Sequence, residues 1–327
     1  MNGSFLPAMA VLQCFFGSAA ALARTTVFIT GATDGIGRHT AGLFVRERLR
    51  DRSLIEEERK ERLRGDLLLL IHGRNETRLR DTKAELLALA EEENKKEAFL
   101  QVETLCADLS CMKEVRRLAE EVETKTDQLT VFIQNAGICL PKLTLTAEGL
   151  ETSFAVKVAA PFLLLSLLMP LLTRSYQSRV LMVTSIWQRY CRVRVNLEDL
   201  QLLKKKDYDP ADTLAHCDLM VAMIAHEAAE RVSQQKQQGR REAEHPLVYS
   251  LDPGTMNTKM LRARYTGLEN QPMRADAEFD YTHIYAPSFH GKYFMDRSQT
   301  AAPDVYDAEK RSRLWSALEE ITNTKCL

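Results

Sequence analysis

The chain carries no excess charge of either sign: 44 Lys and Arg stand against 45 Asp and Glu, a formal charge of −1. That balance provides no global basic field, so nucleic acid is not an expected partner. The seven cysteines, at 14, 106, 111, 139, 191, 217 and 326, form no C-x-x-C pair and no cluster with ligand spacing. Such scatter fits free or buried thiols in a reducing, intracellular setting, not a disulfide framework, and no metal site is expected. There is no Pro/Gly/Ser-rich linker and no internal repeat, so residues 25–327 read as a single domain. Hydrophobic residues at 45% and charged residues at 27% are enough to bury a sizeable core.

Charge is also missing locally. Residues 1–23 hold no charged side chain and are mostly apolar. Three readings compete for this segment. Ala21-Leu22-Ala23 before Arg24 imitates a signal-peptidase site, but no basic stretch precedes it and cleavage would fall almost on the first strand. Residues 5–23 nearly reach the ~20 residues of a membrane anchor, weakened by Pro7, Gln13 and Gly17. The third reading is an apolar lead-in packed on the domain. Membrane association is favoured over packing by a small margin. The C-terminal Lys325-Cys326-Leu327 is neither a prenylation box nor a clean peroxisomal tripeptide.

From residue 25 onward, apolar runs of strand length alternate with longer stretches of helical period, the pattern of a parallel sheet with crossover helices. Strands are expected at 25–30, 67–72, 99–105, 130–134, 179–184, 246–250 and 291–295. Helices are expected at 36–50, 76–93, 111–126, 147–175 (broken before Pro161), 212–236 and 302–321. The fold class is therefore α/β, a doubly wound, predominantly parallel seven-stranded sheet with helices on both faces. A charged insertion at 51–64, DRSLIEEERKERLR, interrupts the plan. Opposite charges at three- and four-residue spacing make it a solvated helical extension, with a protein-partner site as the alternative. It lies at the edge of the sheet opposite the ligand crevice.

The most specific motif follows the first strand. Thr26-Val27-Phe28-Ile29-Thr30 leads into Gly31-Ala32-Thr33-Asp34-Gly35-Ile36-Gly37, and a helical period follows. Gly31 permits a tight turn, Gly35 lets backbone approach a pyrophosphate, and Gly37 allows close helix packing. The helix that starts there offers free N–H groups to phosphate. Further motifs stand after later apolar runs: Ala107-Asp108-Leu109, Asn135-Ala136-Gly137, Ser185, and Asp252-Pro253-Gly254 with Thr258.

The spacing G-x-x-x-G-x-G and this order of motifs resemble the short-chain dehydrogenase/reductase family over residues 25–322, and within it the retinol-dehydrogenase-like branch. Asn196-Leu197-Glu198-Asp199-Leu200 and Tyr208-Asp209-Pro210 carry the likeness to that branch. The resemblance implies a nicotinamide dinucleotide on Gly31, Thr33, Asp34, Gly35, Ile36 and Gly37. It adds Asp108 and Leu109 as the adenine contact and Asn135, Ala136 and Gly137 as a structural, cofactor-lining motif. Pro253, Gly254 and Thr258 would hold the carboxamide. The second strand ends in Gly73-Arg74-Asn75, with a guanidinium and no carboxylate, which favours the 2′-phosphate of NADP(H). Asp34 stands where some NADP-preferring relatives carry a base.

In the family a Ser orients the carbonyl and a Tyr passes the proton. A Lys lowers the Tyr pKa and holds the ribose, and an Asn supports a water relay. Ser185 keeps the first place. The flanks Tyr208-Asp209-Pro210 and Glu227-Ala228-Ala229-Glu230 put Leu214 and Asp218 at the Tyr and Lys places, and Phe154-Ala155-Val156-Lys157 puts Lys157 at the Asn place. Leucine moves no proton, and an aspartate places negative charge where a cation should depress a phenol pKa. Tyr190, Tyr208 and His216 are candidate substitute acids, each with a plainer structural reading. Lys157 and Asp218, opposite charges at facing positions, are expected to pair; the alternative turns Asp218 into solvent at its helix start.

The leading expectation is an NADP(H)-binding protein with impaired hydride transfer. Its rivals are an active oxidoreductase on an apolar alcohol or carbonyl using a substitute acid, and a membrane-associated scaffolding protein. Residues 262–287, expected over the substrate cleft, carry no recognisable motif.

Overall fold

A computed structural model describes residues 24–53, 66–92, 100–176, 178–190, 194–237, 245–253, 293–294 and 301–327. The apolar segment before Arg24, most of the charged insertion, Gly254, Thr258 and residues 262–287 lie outside the described residues. So do the Tyr190 side chain and residues 295–300.

The strands are β1 (Arg24–Ile29), β2 (Asp66–Gly73), β3 (Leu100–Cys106), β4 (Val131–Gln134), β5 (Arg179–Val183), β6 (Leu247–Leu251) and the two-residue β7 (Tyr293–Phe294). They form one seven-stranded sheet of order β3-β2-β1-β4-β5-β6-β7, and every pairing is parallel. The order reverses at β1 and β4, so a crevice opens beyond their C-terminal ends, where such sheets bind ligands.

The helices are α1 (Gly35–Ser53), α2 (Glu76–Glu92), α3 (Met112–Lys125), α4 (Thr152–Arg174), α5 (Trp187–Tyr190), α6 (Pro210–Gln237) and α7 (Ala308–Thr322). The strand pleat sorts the core into two layers. Val27, Ile29, Leu67, Leu69, Ile71, Val131 and Ile133 pack on one face with Phe44 and Val45 of α1 and Leu79 and Leu86 of α2. Phe28, Leu68, Leu70, Phe132, Val180 and Met182 pack on the other, with α3, α4, α6 and α7. Register partners Phe28 and Phe132 stack with centroids 5.2 Å apart on that second face.

Three elements differ from the sequence expectation, one of them the short α5, which no expected helix covers. Helix α4 begins at Thr152, not at 147, because the Glu151 carboxylate accepts from Phe154 N at 2.7 Å and caps it there. Its interruption before Pro161 takes the form of a π turn over Ala155–Ala159, where Ala160 N reaches back to Ala155 O. Proline supplies no N–H to continue the ladder, and a π turn re-sorts the donors around it. The segment 302–321 starts as a 3-10 turn (Pro303–Tyr306) before α7, which Asp307 caps through Lys310 N. Among the described residues α4 alone is long and apolar enough to cross a membrane, and it is buried in the core of this fold.

Candidate functional site

The ends of β1, β2, β3 and β4 gather the glycine-rich turn and its neighbours. Gly31 adopts φ +66° and Gly35 φ +49°, conformations that side chains resist. A Cβ on Gly31 would stand 2.9 Å from Ala136 Cα, and one on Gly37 would overlap Gly31 O and the Asn135 amide. Asn135 Nδ2 donates to Thr30 O at 3.0 Å and Gly31 O at 3.1 Å, while Asn135 N and Ala136 N both donate to Thr30 Oγ1 at 3.1 Å. Thus Asn135 and Ala136 fix the turn at the start of α1, whose first-turn N–H groups have no acceptor within the helix.

The turn also lies against β2: a Cβ on Gly73 would come within 2.7 Å of Thr33 Cγ2. Beyond Gly73, Arg74 is exposed and forms no ion pair among the described residues, while Asn75 Oδ1 accepts from Arg78 N at 2.9 Å and caps α2. Asp34 accepts from Gly35 N at 2.9 Å, and Arg78 Nη1 approaches its other oxygen at 3.8 Å. Arg78 had no motif to mark it; it offsets a carboxylate at the mouth of an anion cradle. Asp108 is exposed and holds the N–H and hydroxyl of Ser110 at 2.9 and 2.8 Å. The Leu109 side chain is buried in the core, so this residue can offer a ligand only its backbone.

The residues expected at the Ser, Tyr, Lys and Asn places stand after β5, on α6 and on α4. Ser185 follows β5, and its Oγ accepts from Trp187 N at 3.3 Å. Leu214 and Asp218, four residues apart on α6, share one helix face and are both buried. Lys157, on the π turn of α4, brings Nζ to 2.9 Å from Asp218 Oδ1. The Thr184 hydroxyl donates to Asp218 O at 2.7 Å and lies 3.5 Å from Asp218 Oδ1. The expected pairing is formed, and Asp218 does not turn into solvent. Asp252 beyond β6 accepts from Ile186 N and ties that strand end to the Ser185 segment, with Pro253 buried beside it.

Two of the candidate substitute acids, His216 and Tyr208, have structural partners. His216 Nε2 accepts from Asn196 N at 3.3 Å, its ring also bonds the Leu200 backbone, and burial pushes its pKa down to about 4. Tyr208 OH donates to Glu151 Oε1 at 3.3 Å; burial, then the Glu151 charge, push the phenol up to about 12. Glu151, buried between the cap of α4 and Tyr208, carried no motif in the sequence: its cap on Phe154 N is local, but its links to Gln201 and Tyr208 span fifty and more residues. The Cys217 thiol, beside the same groups, is raised well above its ordinary value, burial being the main cause.

A parallel, doubly wound sheet with a glycine-rich turn at its switch point defines a dinucleotide-type α/β protein. The family described as short chain dehydrogenase matches residues 67–195. Retinol dehydrogenase 14 of Mus musculus is 26% identical over 313 residues, covering 90% of this chain and 84% of that protein. Retinol dehydrogenase 13 of Mus musculus is 25% identical, covering 91% and 84%. Among solved structures, an uncharacterized protein from Mycobacterium Paratuberculosis superposes with a TM-score of 0.65 at 21% identity, covering 94% of this chain and 96% of that one. A short chain dehydrogenase from Escherichia coli CFT073, complexed with NADPH, gives 0.55 at 19% identity, covering 83% and 95%. The family match and these relatives support a place for the chain in the short-chain dehydrogenase/reductase family, near its retinol-dehydrogenase-like branch.

Proposed function

We propose that this protein binds NADP(H) in the crevice beyond β1 and β4 and is impaired in hydride transfer. The turn fits the group: positive φ at Gly31 and Gly35 and the tight Gly37 contact leave a backbone cradle at a helix start. Arg74 and Arg78 at the start of α2 supply cations for a 2′-phosphate. The NADPH complex of the Escherichia coli relative in fold supports the same cofactor. When bound, the nicotinamide would give or take the hydride.

One observation carries the impairment: the cation of Lys157 is consumed by Asp218 at 2.9 Å, and Leu214 stands on the same helix face. Ser185 can still orient a carbonyl oxygen. No proton donor stands beside it at the Tyr place, and no free ammonium stands at the Lys place. Loss of general acid catalysis alone costs about 10²–10⁴-fold. Tyr208 is a reluctant donor with its phenol near 12, and both nitrogens of His216 are engaged.

The retinol dehydrogenase names of the relatives support the rival reading, an active oxidoreductase on an apolar alcohol or carbonyl. One sample separates the two. NADPH titration should saturate, while retinoid, steroid and aliphatic carbonyl and alcohol panels give no robust turnover. Turnover that survives Ser185→Ala and disappears with Tyr190→Phe or Tyr208→Phe would establish a substitute acid and overturn impairment.

A further inference from the structure

His72 is the penultimate residue of β2, in register with Leu105 of β3, and only 3% exposed. The rest of that strand after Asp66 is Leu, Ile and Gly, so a buried imidazole there must find partners. It has one on each side. Nδ1 accepts from Gly31 N at 3.3 Å, and Nε2 lies 3.1 Å from Ala107 O. Because Nδ1 accepts, Nε2 carries the proton and donates to the carbonyl. Burial keeps the ring neutral, holding its pKa down to about 4 against the Ala107 bond and the nearby Asp108 charge.

The backbone repeats these links: Ala32 N donates to His72 O at 2.8 Å, and Ala107 N to Gly73 O at 3.2 Å. The turns so joined carry Gly31, Arg74 and Asp108, which the reading above places on phosphate, 2′-phosphate and adenine. Asn135 holds the Gly31 carbonyl at 3.1 Å, and the His72 ring holds the N–H of the same φ +66° residue.

We propose that His72 is a positioning residue for the dinucleotide, its neutral imidazole stapling the glycine-rich turn to the ends of β2 and β3 before cofactor arrives. This rests on the NADP(H) reading. Without the ring, Gly31 N–H and Ala107 C=O lose their partners and the unliganded turn relaxes. Binding must then reorder it, so the loss falls on affinity.

Three variants test this. His72→Leu removes both bonds. His72→Asn places an amide oxygen near the Nδ1 position and keeps the Gly31 bond; His72→Gln reaches toward Ala107 and keeps the other. The NADPH dissociation constant should rise about tenfold in His72→Leu and recover in His72→Asn more than in His72→Gln. Without cofactor, amide exchange over residues 27–37 should quicken in His72→Leu, stay slow in His72→Asn, and leave α6 unchanged. Should His72→Leu fail to fold, the Asn and Gln variants carry the comparison. Equal NADPH affinity across the variants, or unchanged exchange over 27–37, overturns the staple. Failure of the wild type to bind NADPH sinks the cofactor reading instead, and exchange at the turn alone then decides whether His72 holds it.

Discussion

Lys157 Nζ lies 2.9 Å from Asp218 Oδ1, with 10% and 1% of the two side chains exposed, joining the π turn of α4 to α6. Either charge alone would be costly at that depth, and the Thr184 hydroxyl after β5 holds the same Asp218. Loss of one partner leaves the other buried and unpaired. Lys157→Ala and Asp218→Ala should each destabilise the fold by about 3–5 kcal/mol in urea denaturation. The double variant Lys157→Met/Asp218→Leu should recover most of that loss. Additive effects would mean that the contact contributes nothing as a pair.

Cofactor preference is the second test. With Arg74 exposed and in no ion pair among the described residues, NADP(H) should bind more tightly than NAD(H), and Arg74→Asp should reverse or abolish the difference. Gly37→Val should abolish binding of either, since its Cβ would overlap Gly31 O and the Asn135 amide. Isothermal titration with both cofactors decides it; equal wild-type affinities would remove the 2′-phosphate role from Arg74.

The parallel sheet, its strand ends and the glycine turn were legible because period and turn chemistry are local properties. The Lys157–Asp218 contact was legible too, since two opposite charges stood at places that face each other in the family fold. His72 was not: within His72-Gly73-Arg74-Asn75 it reads as part of a turn, and its partners at Gly31 and Ala107 arrive only through β-sheet register. Glu151 and Arg78 carried no motif either, since Tyr208 and Asp34 reach them only in the folded chain. Leu109 shows the converse, a motif position whose side chain the core has claimed.

Rebuilding the relay tests impairment directly. Asp218→Lys alone would set two ammonium groups against each other, so Lys157 has to change with it. The triple variant Lys157→Asn/Leu214→Tyr/Asp218→Lys supplies the phenol, the cation and the amide together. If missing proton transfer limits the protein, turnover on the carbonyl panel should rise by about 10²–10⁴-fold over wild type. A folded, NADPH-binding triple variant with no gain would place the defect in the substrate cleft.

The last prediction follows from two buried neutral histidines. His72 and His216 are each held at about 4, burial being the main cause; Asp108 faces the first, Asp199 and Asp304 the second. In the unfolded chain both should titrate near 6.5. Between those values the unfolded chain binds more protons than the fold, so stability is full above about pH 6.5 and falls as pH drops toward 4. By pH 5 the loss should reach about 2 kcal/mol per histidine. Asp304 adds nothing in that window: Lys310 and the Val195 N–H outweigh its burial and keep its carboxyl below the usual range, so its contribution disappears only at lower pH. Urea midpoints at pH 7.5, 6.5, 5.5 and 5.0 should therefore decline, and His72→Asn, which cannot titrate, should flatten the decline by about half. A wild-type midpoint constant from pH 7.5 to 5.0 would mean that the rings accept protons in the fold, and Nδ1 of His72 could not then be the acceptor for Gly31.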